Sequence, residues 1–176
     1  MLLEKNKDHF YIMHLSYGKD EDGKKKIELW DFSTKKNLIG LDLTNYVEDD
    51  WVKVRTFAAK NLKNDLLGIW TRQFDMFCED TTDFSMKTGD IVLVLDGWSS
   101  LLGIAEVTTK HSYRPELAST RGGAFFDHVR EVKWIKKYSF KERLKIPSVK
   151  GFNNTLAIVE RGSKRWSRLV TIDVDC

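Results

Sequence analysis

Residues 91–95, Ile-Val-Leu-Val-Leu, form an apolar run with no polar interruption. A strand of that kind is stable only when both of its faces are covered, so it predicts the centre of a small sheet or barrel. A second strand, Leu101 to Thr108, follows the short polar turn Asp96-Gly97-Trp98-Ser99-Ser100. Gly103 interrupts it, at a place where a bulge or a close backbone approach is expected. Trp98, at the tip of the turn, gains little burial from the strands themselves and needs another neighbour or a ligand.

The other elements are read around this hairpin. Phe10 to Leu15 is a strand candidate, and Ser16 to Lys26, ending in GKDEDGKKK, reads as an exposed connection. Asp31 or Ser33 is expected to cap a short helical turn through Lys36, with Asn37 to Leu41 beginning another strand. Two helices are expected at Val52 to Lys63 and, capped by Asp65, through Leu66, Ile69, Trp70, Phe74 and Phe77, whose i, i+3, i+4 steps mark a core face. Arg121-Gly122-Gly123 closes a loop that starts near Tyr113, and Phe125 to Tyr138 is a third central strand whose imperfect alternation suggests a bulge. In the tail, a short helix is expected at Phe140 to Leu144, with short strands, or a helix and a strand, at Leu156 to Glu160 and Leu169 to Val174. The economical reading is one compact α/β (α+β) domain over residues 1–176, with its core at about 10–138 and a C-terminal extension.

Charge is unevenly distributed. Lys110 to Arg168 holds 15 Lys or Arg against 5 Asp or Glu, while the remainder holds 14 against 21. Such a basic third attracts polyanions, although any solvated surface must also carry charge somewhere. No apolar run reaches the length of a membrane span, and the first ten residues lack the apolar core of a signal peptide. Cys78 and Cys176 are far apart with no C-x-x-C pair, so a disulfide scaffold is not expected and a reducing cytoplasm is the default.

Enzyme signatures are missing from the sequence. There is no phosphate-binding G-x-x-x-x-G-K-[ST], no H-E-x-x-H, no G-x-S-x-G and no dinucleotide fingerprint. His9, His14, His111 and His128 are scattered, and no spacing pairs them with Cys78 as a zinc site, so no metal and no cofactor are expected. Glu131-Val132-Lys133 matches the end of a nuclease motif but has no suitably placed upstream aspartate.

The order LWDFS, helices, KTGDIVLVLDG, LLGIAEVTTKHSY and FFDHVREVKWI resembles the PUA-like superfamily in its EVE and YTH branches. GIAEV is similar to the EVE signature, VREVKWI to a YTH strand, and Trp30-Asp31-Phe32-Ser33 to the YTH position where a Trp forms one wall of an aromatic cage. The WDFSTKKNLIGLDL opening resembles the N-terminal recognition domains of McrB-type, modification-dependent restriction systems. The resemblance implies a compact β-barrel flanked by helices, with an aromatic pocket that accepts a modified base. It also implies a GTPase motor of the AAA+ type outside these residues, because the phosphate-binding loop is not among them.

On that resemblance Trp30 is one cage wall, and Trp98 or Tyr113 another. Asp31, Ser33 and Asp96 are candidate partners for a base edge. Lys110, Arg114, Arg121, Arg130, Lys133 and Lys136 are candidate phosphate contacts, joined by Lys164 and Arg165 of the Arg161–Arg168 cluster. In that cluster Trp166 either grips nucleic acid with its neighbours or is tucked beneath a hairpin loop. All six tryptophans can equally be core anchors. The expected function is therefore a non-catalytic module that flips a modified base of double-stranded DNA. An RNA-binding PUA-like module and a protein-interaction domain are the alternatives.

Overall fold

A computed structural model describes residues 8–15, 24–41, 56, 72–79, 82–117, 126–149, 155–170 and 172. Its strands are β1 (His9–His14), β2 (Leu38–Leu41), β3 (Ile91–Leu95), β4 (Ser100–Val107), β5 (Ser112–Tyr113), β6 (His128–Lys137), β7 (Leu144–Lys145) and β8 (Leu156–Glu160). The helices are α1 (Lys24–Lys36) and α2 (Lys164–Leu169), with a 3₁₀ turn at Pro115–Leu117 and a helical stretch at 72–77. One curled sheet runs β2-β6-β4-β3-β1-β8, with β5 on β6 and β7 on β4. All of its pairings are antiparallel except β1 with β3. The result is a mixed α+β half-barrel.

All five residues of β3 are buried, because strand alternation feeds two cores, one on each face of the sheet. Tyr11, Met13, Val92 and Val94 face one core, with Trp30 of α1 and Phe74 and Phe77 of the 72–77 stretch. Phe10, Ile12, Ile91, Leu93 and Leu95 face the other, covered by Trp166 and Leu169 of α2. Each fully buried large side chain contributes about 1.5–3 kcal/mol, so a central strand with no exposed residue contributes strongly to stability.

Gly103 is required by a close approach. A Cβ there would lie 2.7 Å from Trp30 Cη2 and 2.9 Å from the Lys136 carbonyl oxygen. The ladder is irregular on both sides of it: Leu102 is passed over between the Val94–Gly103 and Leu95–Leu101 pairs, and Ile135 between Lys136–Ile104 and Trp134–Ala105. The bulge expected in the long third strand is therefore at Ile135.

Three local expectations are corrected. Helix α1 begins at Lys24, inside the expected polar connection, and Asp31 and Ser33 lie within it and do not cap its start. Three lysines and no acid occupy its first turn, so the usual charge signal for a helix start is inverted. It ends before Asn37, whose φ of 56° suits an asparagine in the left-handed region. Phe140 to Leu144 forms no helix; its last residue enters β7. Residues 164–169 are a helix, not part of a hairpin loop, and Ser163 caps it by accepting from the Trp166 backbone N–H at 3.1 Å. Trp166 is buried 5.0 Å from the ring of Phe10, which is the structural one of its two expected roles. Of the expected helix at Val52 to Lys63 only Thr56, helical and exposed, is described; the rest of it, Trp70 and the 121–123 loop lie outside the described residues.

Candidate functional site

The β3–β4 turn is built by an Asp96 N–H to Ser100 carbonyl bond of 2.8 Å and by Gly97 at φ 65°. The following segment holds it from outside: Val149 N–H donates to the Trp98 carbonyl at 2.9 Å and Ile146 N–H to the Ser99 carbonyl at 3.0 Å. Trp98 is half-buried, edge-on to His14 at 4.7 Å. That histidine is the neighbour that the turn position demanded.

Cations gather round this turn. Asp96 lies 3.4 Å from Lys26 Nζ and 3.5 Å from Arg143 Nε. Lys145 Nζ donates to Ser100 Oγ at 3.0 Å, Lys136 lies 6.0 Å over the Tyr138 ring, and Arg143 lies 5.1 Å over Phe140. Lys24 and Lys25 precede Lys26 in the first turn of α1, Lys137 ends β6, and Lys141 lies between Phe140 and Arg143. Segments 24–28, 96–100 and 136–145 together hold eight cations against three acids, Glu28, Asp96 and Glu142, and Lys26, Arg143 and Lys145 are the ones in contact with the turn residues. Half-buried aromatic rings (Trp98, Tyr138 and Phe140) are interleaved with them.

Trp30, the first expected cage wall, is 2% exposed. Its indole N–H donates to the Tyr138 carbonyl at 3.0 Å and its ring meets Trp134 edge-on at 5.0 Å. It belongs to the core on one face of the sheet, whereas Trp98 packs against the core on the other. Tyr113 is opposite His128 at the start of β6, while the turn end is reached at Lys137, opposite Gly103. Nine strand steps separate these ends, roughly 30 Å. The three aromatics do not converge, so Trp30 acts as a strut between α1 and the sheet and not as a cage wall.

The polar candidates divide in the same way. Ser33 is buried and donates to the Leu38 carbonyl, Asp31 is exposed on α1, and Asp96 is engaged by its two cations. Arg130 is corrected from phosphate contact to core: it is 0% exposed, donating from Nε to the Phe77 carbonyl at 2.7 Å and from Nη1 to the Thr109 carbonyl at 3.3 Å. Lys133 is exposed opposite Glu106, Lys110 is exposed, and Arg114 pairs with Glu116 at 3.1 Å. That bond and the Glu116 backbone N–H hold the Glu116 carboxyl below its usual range, the backbone bond contributing more. Lys164 and Arg165 are on α2, which follows the Glu160 end of β8, paired with His9 at the opposite end of the sheet from Trp98. Arg121 lies outside the described residues.

Two further features occupy that opposite end. An open cavity of about 380 Å³ is lined by Asp8, His9, Asp83, Phe84, Ile158, Glu160 and Arg161, with Phe84 48% exposed. It is large enough for a base, but three carboxylates against one guanidinium disfavour a polyanion. The second is a cluster that sequence spacing missed. Cys78, His111 and His128 bring their ligand atoms within 4.8 Å of one another. His111 Nε2 is 2.9 Å from His128 Nδ1, and Cys78 Sγ is 3.8 Å from the same nitrogen. The two imidazoles stack at 5.1 Å with planes 12° apart. Burial pushes the Cys78 thiol well above its usual range, against the pull of Arg130.

Residues 19–157, more than three quarters of the chain, match the family described as a domain of unknown function (DUF8426). The chain belongs to the DUF8426 family. No curated protein matches it. This DUF8426 chain has no helix among the described residues long and apolar enough to cross a membrane.

Proposed function

We propose that the chain is a non-catalytic nucleic-acid-recognition module of the PUA-like, EVE/YTH type, binding through the cationic turn end of its half-barrel. The observation that carries this reading is the convergence of Lys26 and Arg143 on Asp96 and of Lys145 on Ser100, beside the half-buried Trp98, in a chain whose neighbouring segments are rich in lysine. Local physics argues against three lysines in the first turn of α1, at the positive end of a helix dipole. A bound polyanion supplies the missing compensation, and positions that break a local rule are where function is expected. On this reading phosphate contacts provide most of the affinity and Trp98 offers one stacking face, worth about 1–3 kcal/mol per base.

The substrate class follows the resemblance: double-stranded DNA carrying a modified base, in the cytoplasm, with the chain acting as the targeting part of a McrB-type restriction system whose AAA+ GTPase motor is carried elsewhere. Base flipping then uses Trp98 and the rim of the turn, since Trp30 is committed to the core. Extrusion costs a few kcal/mol, and the adjoining phosphate contacts have to offset it.

The test is fluorescence anisotropy at several salt concentrations with matched unmodified, N6-methyladenine and modified-cytosine duplexes and with single-stranded RNA. Lys141→Ala and Lys145→Ala are each expected to lower the salt slope by about 0.9 on every duplex. Trp98→Ala is expected to weaken the preferred duplex roughly 5- to 150-fold with folding intact. Tighter binding to the RNA assigns the chain to RNA. Salt-insensitive, weak binding to all four probes overturns the reading.

A further inference from the structure

We propose that Cys78, His111 and His128 form a binding centre for one divalent transition-metal ion of the zinc class. Zinc bonds of about 2.0–2.1 Å to nitrogen and about 2.3 Å to sulfur, arranged tetrahedrally, place two ligand nitrogens about 3.3 Å apart and nitrogen and sulfur about 3.6 Å apart. The corresponding separations here are 2.9 Å and 3.8 Å, and the third edge lies within 4.8 Å. The two measured edges differ from the tetrahedral values by only about 0.4 and 0.2 Å, and His111, half-buried, is the least confined of the three ligands.

The donor set selects the ion. One thiolate and two imidazoles suit zinc or cobalt and are poor ligands for magnesium or calcium. The surroundings favour a dication as well: Asp75, Glu79 and Asp127 are all close enough to act on Cys78 electrostatically, against the single positive charge of Arg130. On binding, the Cys78 thiol proton leaves to solvent, and each imidazole keeps its proton on the nitrogen turned away from the ion. Three protein ligands leave a fourth position for water or an exogenous group.

The ligands come from three separate segments: Cys78 directly after the 72–77 helical stretch, His111 from the β4–β5 connection and His128 from the start of β6. A bound ion would therefore clip the 72–77 stretch and the connection bearing Lys110 onto the sheet, at the end far from the proposed nucleic-acid face. This proposal stands whether or not that face binds nucleic acid.

The whole protein, stripped with chelator, is titrated with Zn²⁺ alone by calorimetry and with Co²⁺ alone by absorption. One ion per chain is expected, together with a rise in melting temperature at saturating zinc and a thiolate-to-cobalt charge-transfer band. Cys78→Ser is expected to abolish the band, and His111→Ala to weaken zinc binding by more than about 100-fold, beyond what the loss of a supporting contact costs. His9→Gln is expected to leave binding unchanged. Circular dichroism checks folding, and if Cys78→Ser does not fold, the half-buried His111 decides. No stoichiometric uptake by the folded wild type, or equal uptake by His111→Ala, overturns the proposal.

Discussion

Replacing Arg130 by Met separates a structural arginine from a phosphate-binding one. Arg130 is fully buried on β6, opposite Ile39, and its guanidinium lies 5.7 Å over the Phe77 ring. The Phe77 carbonyl that accepts from Nε is among the last carbonyls of a helical stretch, which have no partner within their own helix. Methionine keeps most of the apolar stem but strips the bonds to Phe77 and Thr109. Hydrogen bonds to a charged group are worth about 1.5–3 kcal/mol each, and leaving buried acceptors unmet puts the net loss at about 3–5 kcal/mol. For a chain of this size that lowers the melting temperature by roughly 10 °C. Thermal and urea unfolding followed by circular dichroism read the loss, and anisotropy at several salt concentrations reads any phosphate contact. A variant that melts like the wild type, or whose DNA salt slope falls by about 0.9, refutes the assignment of Arg130 to the core.

Two further substitutions test the packing and the pH response. Gly103→Ala forces a methyl group against Trp30 and the Lys136 carbonyl, and is expected to cost about 1–3 kcal/mol, measured as a lower urea midpoint. The His14 imidazole is held below its usual pKa by burial, a bond with the Gly97 backbone pulling the other way, and its Nε2 has no partner among the described residues. Because the unfolded chain takes up this proton first, stability is full above the ordinary histidine pKa of about 6.5 and falls as pH drops from there to the depressed folded value. His14→Gln is expected to flatten that part of the urea-midpoint profile, and an unchanged profile would exclude His14 as its source.

How much could be read from the sequence depended on how far apart the cooperating residues are. β1, β3, β4 and β6 were legible to within a few residues, because uninterrupted or alternating apolar runs state their own burial, and Gly103 marked its close approach. The start of α1 was hidden by lysines that contradict the helix dipole. Trp98 was placed at the tip of a turn and Trp30 by resemblance alone, but which face of the sheet each one joins is decided by α1 crossing one core while the turn leans on the other. The Cys78–His111–His128 cluster has no short spacing to announce it. It forms because β5 pairs with β6 across the 115–127 segment, with Tyr113 opposite His128, and brings His111 to the start of that strand. Arg130, read as an exposed cation from its charge-rich surroundings, faces inward because strand register, not local composition, sets its side.

Asp96 distinguishes two uses of the turn end. If its carboxylate reads a base edge, Asp96→Asn is expected to weaken binding to the preferred duplex alone, by about 1–3 kcal/mol for a lost bidentate contact. In the structure that carboxylate is engaged by Lys26 at 3.4 Å and Arg143 at 3.5 Å, holding two cations in place and placing one negative charge in the middle of a positive rim. Neutralising it should therefore tighten binding to modified and unmodified duplexes alike. A unit charge about 7 Å from a phosphate in a water-like dielectric contributes about 0.6 kcal/mol, so the gain is near threefold at low salt and shrinks as the Debye length falls. The pairs are half-buried, the Asp96 side chain being 16% exposed, so some stability, on the order of 1 kcal/mol, is expected to be lost as well. Loss of affinity confined to the modified duplex would return Asp96 to the base-reading role and would place the flipped base at the tip of the β3–β4 turn. A uniform gain leaves the cations, freed of their internal counter-charge, as the source of affinity.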